Sequence, residues 1–173
     1  MKNFALLSIF ALTLFVNFNA SAQKDNDKRK SPHTTVKQTL ASRAEVSFFY
    51  GQPQVKGRTI GKDLEPKDGK VWRTGADEAT VFETTKSVKI NGKELPAGKY
   101  SFFTMVEKDV WTLIFNKTWE QWGAYDYKEK DDVLRVQTKA TTAAITEKLA
   151  FTISPKGETY ILWGDKKVGF MIE

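Results

Sequence analysis

Apolar residues recur at every second position in many short segments of this chain, and no other feature of the sequence constrains the fold as strongly. Val46, Phe48 and Tyr50 are one example, since they alternate with residues that would point to the opposite face of an extended strand. A period of two is typical of β-strands, and no stretch shows the i, i+3, i+4 apolar stripe of a long helix. The sequence therefore predicts an all-β chain.

Turn residues separate these segments at intervals of about 8–12 residues. Asn91-Gly92 suits the two positive φ angles of a type I′ hairpin, and Leu-Pro-Ala-Gly at residues 95–98 forms a further turn. The predicted strands are residues 36–40, 46–50, 79–83, 87–90, 100–106, 110–116, 133–138, 145–153, 159–163 and 168–172. Roughly ten short strands of this kind are typical of a single-domain antiparallel β-sandwich, which we place at residues 34–173, with long ordered loops at 52–68 and 116–132.

Residues 1–22 have the organisation of a secretory signal peptide. A positive charge opens the segment, residues 4–18 are almost wholly apolar, and a small-x-small cleavage motif ends at Ala22. The apolar run is shorter than the roughly 20 residues that a membrane-spanning helix needs. We therefore predict cleavage between Ala22 and Gln23, and a periplasmic or secreted protein that has no membrane anchor after cleavage.

The formal net charge is +6, from 27 Lys and Arg residues against 21 Asp and Glu residues. Basic and acidic residues are nevertheless mixed along the chain, and the compact basic cluster Lys28-Arg29-Lys30 lies in residues 23–33, which we predict to be a flexible segment. A protein that binds nucleic acid gathers its basic residues on one face. The charge distribution therefore favours solubility and predicts no nucleic-acid partner.

The chain contains no cysteine and one histidine, His33. It can form neither a disulfide nor a catalytic thiolate, and one histidine cannot assemble a tetrahedral zinc site of nitrogen and sulfur ligands. The sequence also has no Gly-x-Ser-x-Gly motif of a serine hydrolase. A calcium site at Asp131 and Asp132 would lack the regular spacing of a known calcium loop. We therefore expect no metal and no cofactor, and we expect His33 to be a turn or edge residue.

Residues 70–80 concentrate groups that could bind a ligand. Arg73 offers a rigid fork of donors for a carboxylate or phosphate, and Asp77 and Glu78 are adjacent carboxylates. The loop at 116–132 is rich in aromatic side chains, whose flat faces suit a sugar ring. The predicted ligand-binding residues are Arg58, Arg73, Glu78, Trp119, Trp122 and Tyr125.

Two functional interpretations are compatible with these residues. The first is a non-catalytic exported protein that binds a small or saccharide-like ligand, or an envelope protein as its partner. The second is a hydrolase of envelope or glycan material that uses Asp77 and Glu78 as acid and base. Neighbouring residues on a strand point to opposite faces, so the two carboxylates could act together only if the backbone turns there, which Gly75 allows.

A structural interpretation assigns the charged residues to ion pairs instead, because structural and catalytic pairs look alike in a sequence. In that case Arg73 or Arg135 would pair with Glu78, Glu147 or Asp132. Burial and mutual pairing of all these groups would favour it over a binding site.

The most specific motif of the chain is Val-Trp-Arg-Thr-Gly-Ala-Asp-Glu-Ala-Thr at residues 71–80. It is accompanied by Ser-Pro at 31–32, Val-Lys-Gly-Arg at 55–58, Leu-Pro-Ala-Gly at 95–98, Gln-Trp-Gly-x-Tyr at 121–125 and Asp-Val-Leu-Arg at 132–135. This series resembles the signatures of the domain of unknown function 2911 family, secreted or periplasmic proteins chiefly of Bacteroidetes-type bacteria. The resemblance implies an exported domain that spans nearly the whole mature chain, and it implies no reaction.

The chain departs from the pattern of that family at two places. Relatives tend to have Tyr-Ser-Arg-Pro where this chain has Tyr-Gly-Gln-Pro at residues 50–53, and they tend to have asparagine at the position of Asp77. If the missing arginine contacts a ligand in relatives, this chain lacks that contact. If it is an ion-pair partner, Arg58 or Arg73 could replace it.

Overall fold

A computed structural model describes residues 25–26 and 28–173 of the protein. Every pairing between its ten strands is antiparallel, which confirms the predicted all-β antiparallel class. The strands are β1 (His33–Thr39), β2 (Glu45–Gly51), β3 (Val71–Trp72), β4 (Ala76–Thr84), β5 (Val88–Ile90), β6 (Lys93–Leu95), β7 (Gly98–Glu107), β8 (Val110–Asn116), β9 (Asp132–Ile153) and β10 (Glu158–Met171).

The strands form one large curled sheet and one small hairpin. The large sheet has the order β1-β2-β4-β7-β8-β9-β10, with β3 beside β7, and the small sheet pairs β5 with β6. After β2 the chain meets the far end of β9, where Gln54 bridges Lys148. The sheet therefore folds over on itself, and strands from its two halves face each other across the core as in a sandwich.

The C-terminal third differs from the sequence prediction, because two long strands replace the four short ones expected there. β9 continues through residues 139–144 and β10 continues through residues 164–167, segments that are small or polar and lack apolar alternation. Most of these residues are not buried in the core, so their side chains need not be apolar. Their backbone is nevertheless hydrogen-bonded in the sheet, and the strands therefore continue through them. Two register shifts next to Gly164 accommodate the bend of this pair.

The core is an aromatic cluster to which each of six strands of the large sheet contributes one phenylalanine. Phe48 lies near its centre, with its ring centroid 4.5 Å from that of Phe151, 4.9 Å from Phe82 and 5.2 Å from Phe102. Burial of one such side chain stabilises the fold by about 1.5–3 kcal/mol. β8 is a central strand of the large sheet, between β7 and β9, and Trp111 to Asn116 are all buried.

A smaller apolar cluster lies on the other face of the sheet and fixes the aromatic loop. Ala79, Phe103 and Ile114 are buried there, and Tyr127 packs edge-on against Phe103 with a centroid distance of 5.1 Å. The loop that follows β8 is thereby anchored over β4, β7 and β8. Its other aromatic residues remain at the surface, with Trp119 38%, Trp122 56% and Tyr125 81% exposed.

In the part of the chain that the structure describes, no helix has the length and apolar character needed to cross a membrane. The predicted signal peptide, residues 1–22, and the predicted cleavage site after Ala22 lie outside the described residues.

Candidate functional site

A bulge in β4 brings the two adjacent carboxylates to one side of the sheet. β2 and β4 pair regularly up to Phe49 and Val81, but the next pair is Gly51 with Ala76. Residues 77–80 therefore lie outside the ladder between β2 and β4, and Asp77 has a left-handed backbone, with φ of +64°. We expected Gly75 to allow the backbone turn that brings Asp77 and Glu78 together, but the positive φ lies at Asp77.

Four charged or titratable side chains meet at this bulge, and we call Arg29, His33, Asp77 and Glu78 the His33 cluster. Glu78 Oε2 lies 2.7 Å from His33 Nε2. Arg29 donates from Nη1 to Glu78 Oε2 at 3.2 Å and from Nη2 to Glu78 Oε1 at 3.3 Å, and its Nη1 lies 3.7 Å from Asp77 Oδ2. His33 begins the edge strand β1, which confirms that it is an edge residue.

The neighbours of Glu78 determine its protonation state. Burial raises the pKa of Glu78, but a backbone hydrogen bond, His33 and Arg29 together outweigh burial and hold this pKa below its ordinary value. The carboxyl group is therefore ionised at neutral pH. An ionised carboxylate can accept hydrogen bonds or bind a cation, but it cannot serve as a general acid.

Two exposed aromatic rings flank the cluster. Trp122 forms an antiparallel bridge with Glu78, an arrangement in which opposite side chains point to the same face. Phe49, 41% exposed, packs edge-on against the His33 ring with a centroid distance of 4.8 Å. The cluster is thus a polar centre between two apolar surfaces.

Arg73 does not join this cluster and lies instead in a cavity of about 300 Å³, which we call the Arg73 cavity. Its Nε is buried and has no hydrogen-bond partner among the described residues. A Cβ atom added at Gly123 would lie 2.9 Å from Arg73 Nη1, so the loop backbone closely confines the guanidinium. The cavity is lined by Glu65, Val71, Trp72, Arg73, Ala124 and Tyr125.

The predicted ligand-binding residues therefore fall into separate places. Arg73 and Tyr125 share a cavity, whereas Glu78 belongs to the His33 cluster and Trp122 flanks that cluster. Arg58 lies apart from both, where its guanidinium donates to the carbonyl oxygens of Gln54 and Val55, and it lines a different cavity. Trp119 lies under the ammonium group of Lys99, 5.1 Å from the ring centroid.

The predicted structural ion pair of Arg135 with Asp132 is confirmed. Arg135 Nε donates to Asp132 Oδ2 at 2.8 Å, and its Nη1 donates to Glu129 at 3.0 Å. Tyr127 donates its hydroxyl to Asp132 at 2.7 Å and accepts from Arg135 Nη2 at 2.8 Å. Asp132 is committed to this network, so the calcium site considered at Asp131 and Asp132 is disfavoured. The predicted pair of Arg73 with Glu78 does not form.

A family model described as a protein of unknown function, DUF2911, matches residues 31–172 of the chain. The chain belongs to the DUF2911 family. The match confirms the resemblance seen in the sequence motifs and includes His33, Arg73, Asp77 and Glu78, but it begins after Arg29. No curated protein and no solved structure matches this DUF2911 chain.

Sequence reasoning missed three members of the site of this DUF2911 protein. Arg29, His33 and Phe49 come together with Glu78 only because β1 pairs with β2, which places His33 opposite Gly51. A weak signal was present, since Phe49 is a large apolar residue on the otherwise polar face of its strand. Arg29 lies in residues 23–33, whose flexibility stays a prediction.

The Tyr127 network gives the DUF2911 domain a testable response to alkaline pH. Burial, followed by the hydrogen bond to Asp132, raises the pKa of Tyr127 from 10.0 to about 12. The unfolded chain loses this proton first, so the free energy of unfolding should fall as the pH rises from about 10 to about 12. Urea unfolding over this range should show a shallower fall for Tyr127→Phe than for the wild type.

Tyr50 and Tyr100 retain part of that pH dependence in the variant, because burial raises the pKa of each phenol. Equal slopes for Tyr127→Phe and the wild type would show that the Tyr127 phenol is not held in its neutral form by the fold.

Proposed function

We propose that this DUF2911 protein is an exported, non-catalytic binding protein whose ligand is a small acidic saccharide held in the Arg73 cavity. The observation that carries the proposal is the buried Arg73 Nε, which has no acceptor among the described residues although it lies beside a cavity. A buried N–H group without an acceptor costs about 1–3 kcal/mol. Nε is itself shielded from solvent, so a ligand carboxylate would remove that cost when the Arg73 side chain turns to present Nε and one Nη to the cavity.

The surroundings of Arg73 support a saccharide rather than a simple inorganic anion. Tyr125, 81% exposed, offers a flat face at the same cavity, and Glu65 adds a carboxylate that can accept from sugar hydroxyl groups. A volume of about 300 Å³ is at the lower end of the range for small-molecule sites, which suits a ligand of one or two rings. No described carboxylate lies within 4.0 Å of the Arg73 guanidinium to compete with the ligand.

The state of the carboxylates supports binding over hydrolysis. A glycoside hydrolase needs one protonated carboxyl group beside one ionised carboxylate. Asp77 and Glu78 both lie within 4.0 Å of the same arginine, and the pKa of Glu78 is held low. The low pKa keeps the Glu78 carboxyl group ionised at neutral pH, so Glu78 cannot be the general acid of such a pair. Export is supported by the sequence of residues 1–22.

Titration calorimetry with glucuronate and glucose tests the proposal, because these sugars differ in a carboxylate at one carbon. We expect saturable binding of glucuronate and binding of glucose that is at least about tenfold weaker, since a hydrogen bond to a charged group contributes about 1.5–3 kcal/mol. Arg73→Ala should weaken glucuronate binding by a similar factor. Arg58→Ala is the matched control, because it removes the same charge at a different cavity and should leave binding unchanged.

Equal binding of the two sugars, or glucuronate binding that survives Arg73→Ala, would contradict a site built on the Arg73 guanidinium. If Arg58→Ala weakens glucuronate binding as much as Arg73→Ala does, the loss of affinity comes from the change in net charge and not from a contact with Arg73. Absence of glucuronate binding by the folded wild type would exclude this ligand class.

A further inference from the structure

The His33 cluster contains a set of metal-ligating groups that the proposed function does not use. One ring nitrogen of His33 and one carboxylate oxygen each of Asp77 and Glu78 lie within 4.8 Å of one another. They come from β1 and from the bulge of β4, two segments joined through strand pairing with β2. The His33 side chain is only 13% exposed and packs against Phe49, so its ring is fixed in place.

A positive group already occupies the centre of this set. Arg29 Nη1 lies 3.2 Å from Glu78 Oε2, 3.5 Å from His33 Nε2 and 3.7 Å from Asp77 Oδ2. One nitrogen atom of the guanidinium therefore contacts all three candidate ligands, as a coordinated cation would. Arg29 is held there by partly exposed ion pairs, which contribute little because solvent screens them.

The donor set favours a transition metal. An imidazole nitrogen suits zinc and its neighbours in the first row, whereas oxygen ligands alone suit calcium and magnesium. Zinc binds such nitrogen and oxygen atoms at about 2.0–2.2 Å, so two ligand atoms of one zinc ion lie about 3–4 Å apart. The three candidate ligand atoms of this cluster lie within 4.8 Å of one another, which is close to that separation. The expectation of no metal considered a zinc site of nitrogen and sulfur ligands and a calcium site at Asp131 and Asp132, but not a site that combines one imidazole with carboxylates. This set is made of nitrogen and oxygen.

We propose that His33, Asp77 and Glu78 bind a divalent transition-metal ion in the place of the Arg29 guanidinium. The arginine and the metal ion then exclude each other, so metal binding displaces the Arg29 guanidinium from the three ligands. The site shares no residue with the Arg73 cavity, so this proposal and the proposed function can fail separately.

Zinc titration of the protein, prepared without a polyhistidine tag, tests the site directly. His33 is the only histidine and cysteine is absent, so the imidazole nitrogens in a ¹⁵N spectrum all belong to this residue. We expect one zinc ion per chain in calorimetry and a coordination shift of one His33 ring nitrogen that saturates at the same ratio. Calcium should bind more weakly and leave that nitrogen unchanged.

Three variants separate coordination from general charge effects. Asp77→Asn keeps the shape of the side chain and suits the left-handed backbone, yet it should weaken zinc binding at least about tenfold because an amide is a poor zinc ligand. Arg29→Gln should tighten zinc binding about three- to tenfold, since the competing partly exposed ion pairs are lost. Lys30→Gln makes the same charge change beside Arg29 and should leave zinc affinity unchanged.

Several results would overturn the proposal. They are a His33 nitrogen that does not respond to zinc, zinc affinity unchanged by Asp77→Asn, and calcium binding as tight as zinc binding. Equal tightening by Arg29→Gln and Lys30→Gln would refute the competition by Arg29 and leave only a general effect of net charge.

Discussion

Replacement of Phe48 by alanine is expected to lower the free energy of unfolding by about 3–5 kcal/mol, one of the two largest effects of a single substitution expected in this protein. Phe48 is fully buried, and its ring contacts those of Phe82, Phe102 and Phe151. These rings come from strands in both halves of the curled sheet. Truncation would leave a cavity that neither half can fill without moving the other, so little relaxation is available.

The adjacent residue provides the control. Phe49 has the same side chain on the same strand, but it faces the other side of the sheet and is 41% exposed. Phe49→Ala should therefore cost about 1 kcal/mol, mainly through the lost contact with His33. Urea unfolding followed by circular dichroism measures both variants. Similar losses for the two variants would show that the faces of β2 are not divided into core and surface as described.

The contrast between Phe48 and Phe49 also shows what could be predicted from the sequence. Alternation in β2 identified the inward face correctly because that strand has one buried face, and the period of the pattern is the period of the backbone. Asn91-Gly92 correctly marked the turn between β5 and β6, since its chemistry is local. At both of these places one local rule determines the structure, and the prediction from the sequence is correct.

The length of β9 and β10 was not predicted, because the middle segments of these strands have a hydrogen-bonded backbone but side chains that are mostly outside the core. Residues 139–144 continue the ladder although their side chains are mostly outside the core, so no pattern of apolar residues marks them. Apolar alternation predicts a strand with one buried face, and it cannot detect a strand whose backbone is paired at the surface.

The candidate site depended on tertiary information that no local rule contains. Asp77 and Glu78 were recognised as carboxylates, but their common side follows from a bulge whose position is visible only in the pairing of β4 with β2. Arg73 was one of two arginines considered as an ion-pair partner of Glu78, yet Arg29 and His33 contact that carboxylate. A residue 49 positions away in sequence cannot be assigned to a partner without the strand order.

Gly157→Ala is expected to destabilise the protein by about 3 kcal/mol or more, because two costs combine at this position. Gly157 has a φ of +89°, which an L side chain adopts only with strain, and an added Cβ would lie 1.8 Å from the backbone oxygen of Ile172. The obstacle is backbone and cannot rotate away. The Ile172 amide also donates to the Gly157 oxygen at 2.9 Å, so the clash separates a bonded pair.

Gly92→Ala isolates the first of these two costs. Gly92 has a similar φ of +80° in a hairpin turn, but nothing lies within 4 Å of an added Cβ, so its substitution should cost only about 1–2 kcal/mol. Ile172 is buried and bridges Ile90 of β5, so displacement of the C-terminus by Gly157→Ala should also loosen the β5–β6 hairpin.

Urea unfolding and amide hydrogen exchange distinguish the two variants. Exchange at the Ile172 amide should accelerate in Gly157→Ala and stay slow in Gly92→Ala, because only the first change breaks the bond to residue 157. If both variants lose the same stability and the Ile172 amide stays protected in both, the C-terminus does not depend on the turn between β9 and β10. The small hairpin would then keep its hydrogen bonds to the C-terminus, between Lys89 and Glu173 and between Asn91 and Met171, whatever happens at residue 157.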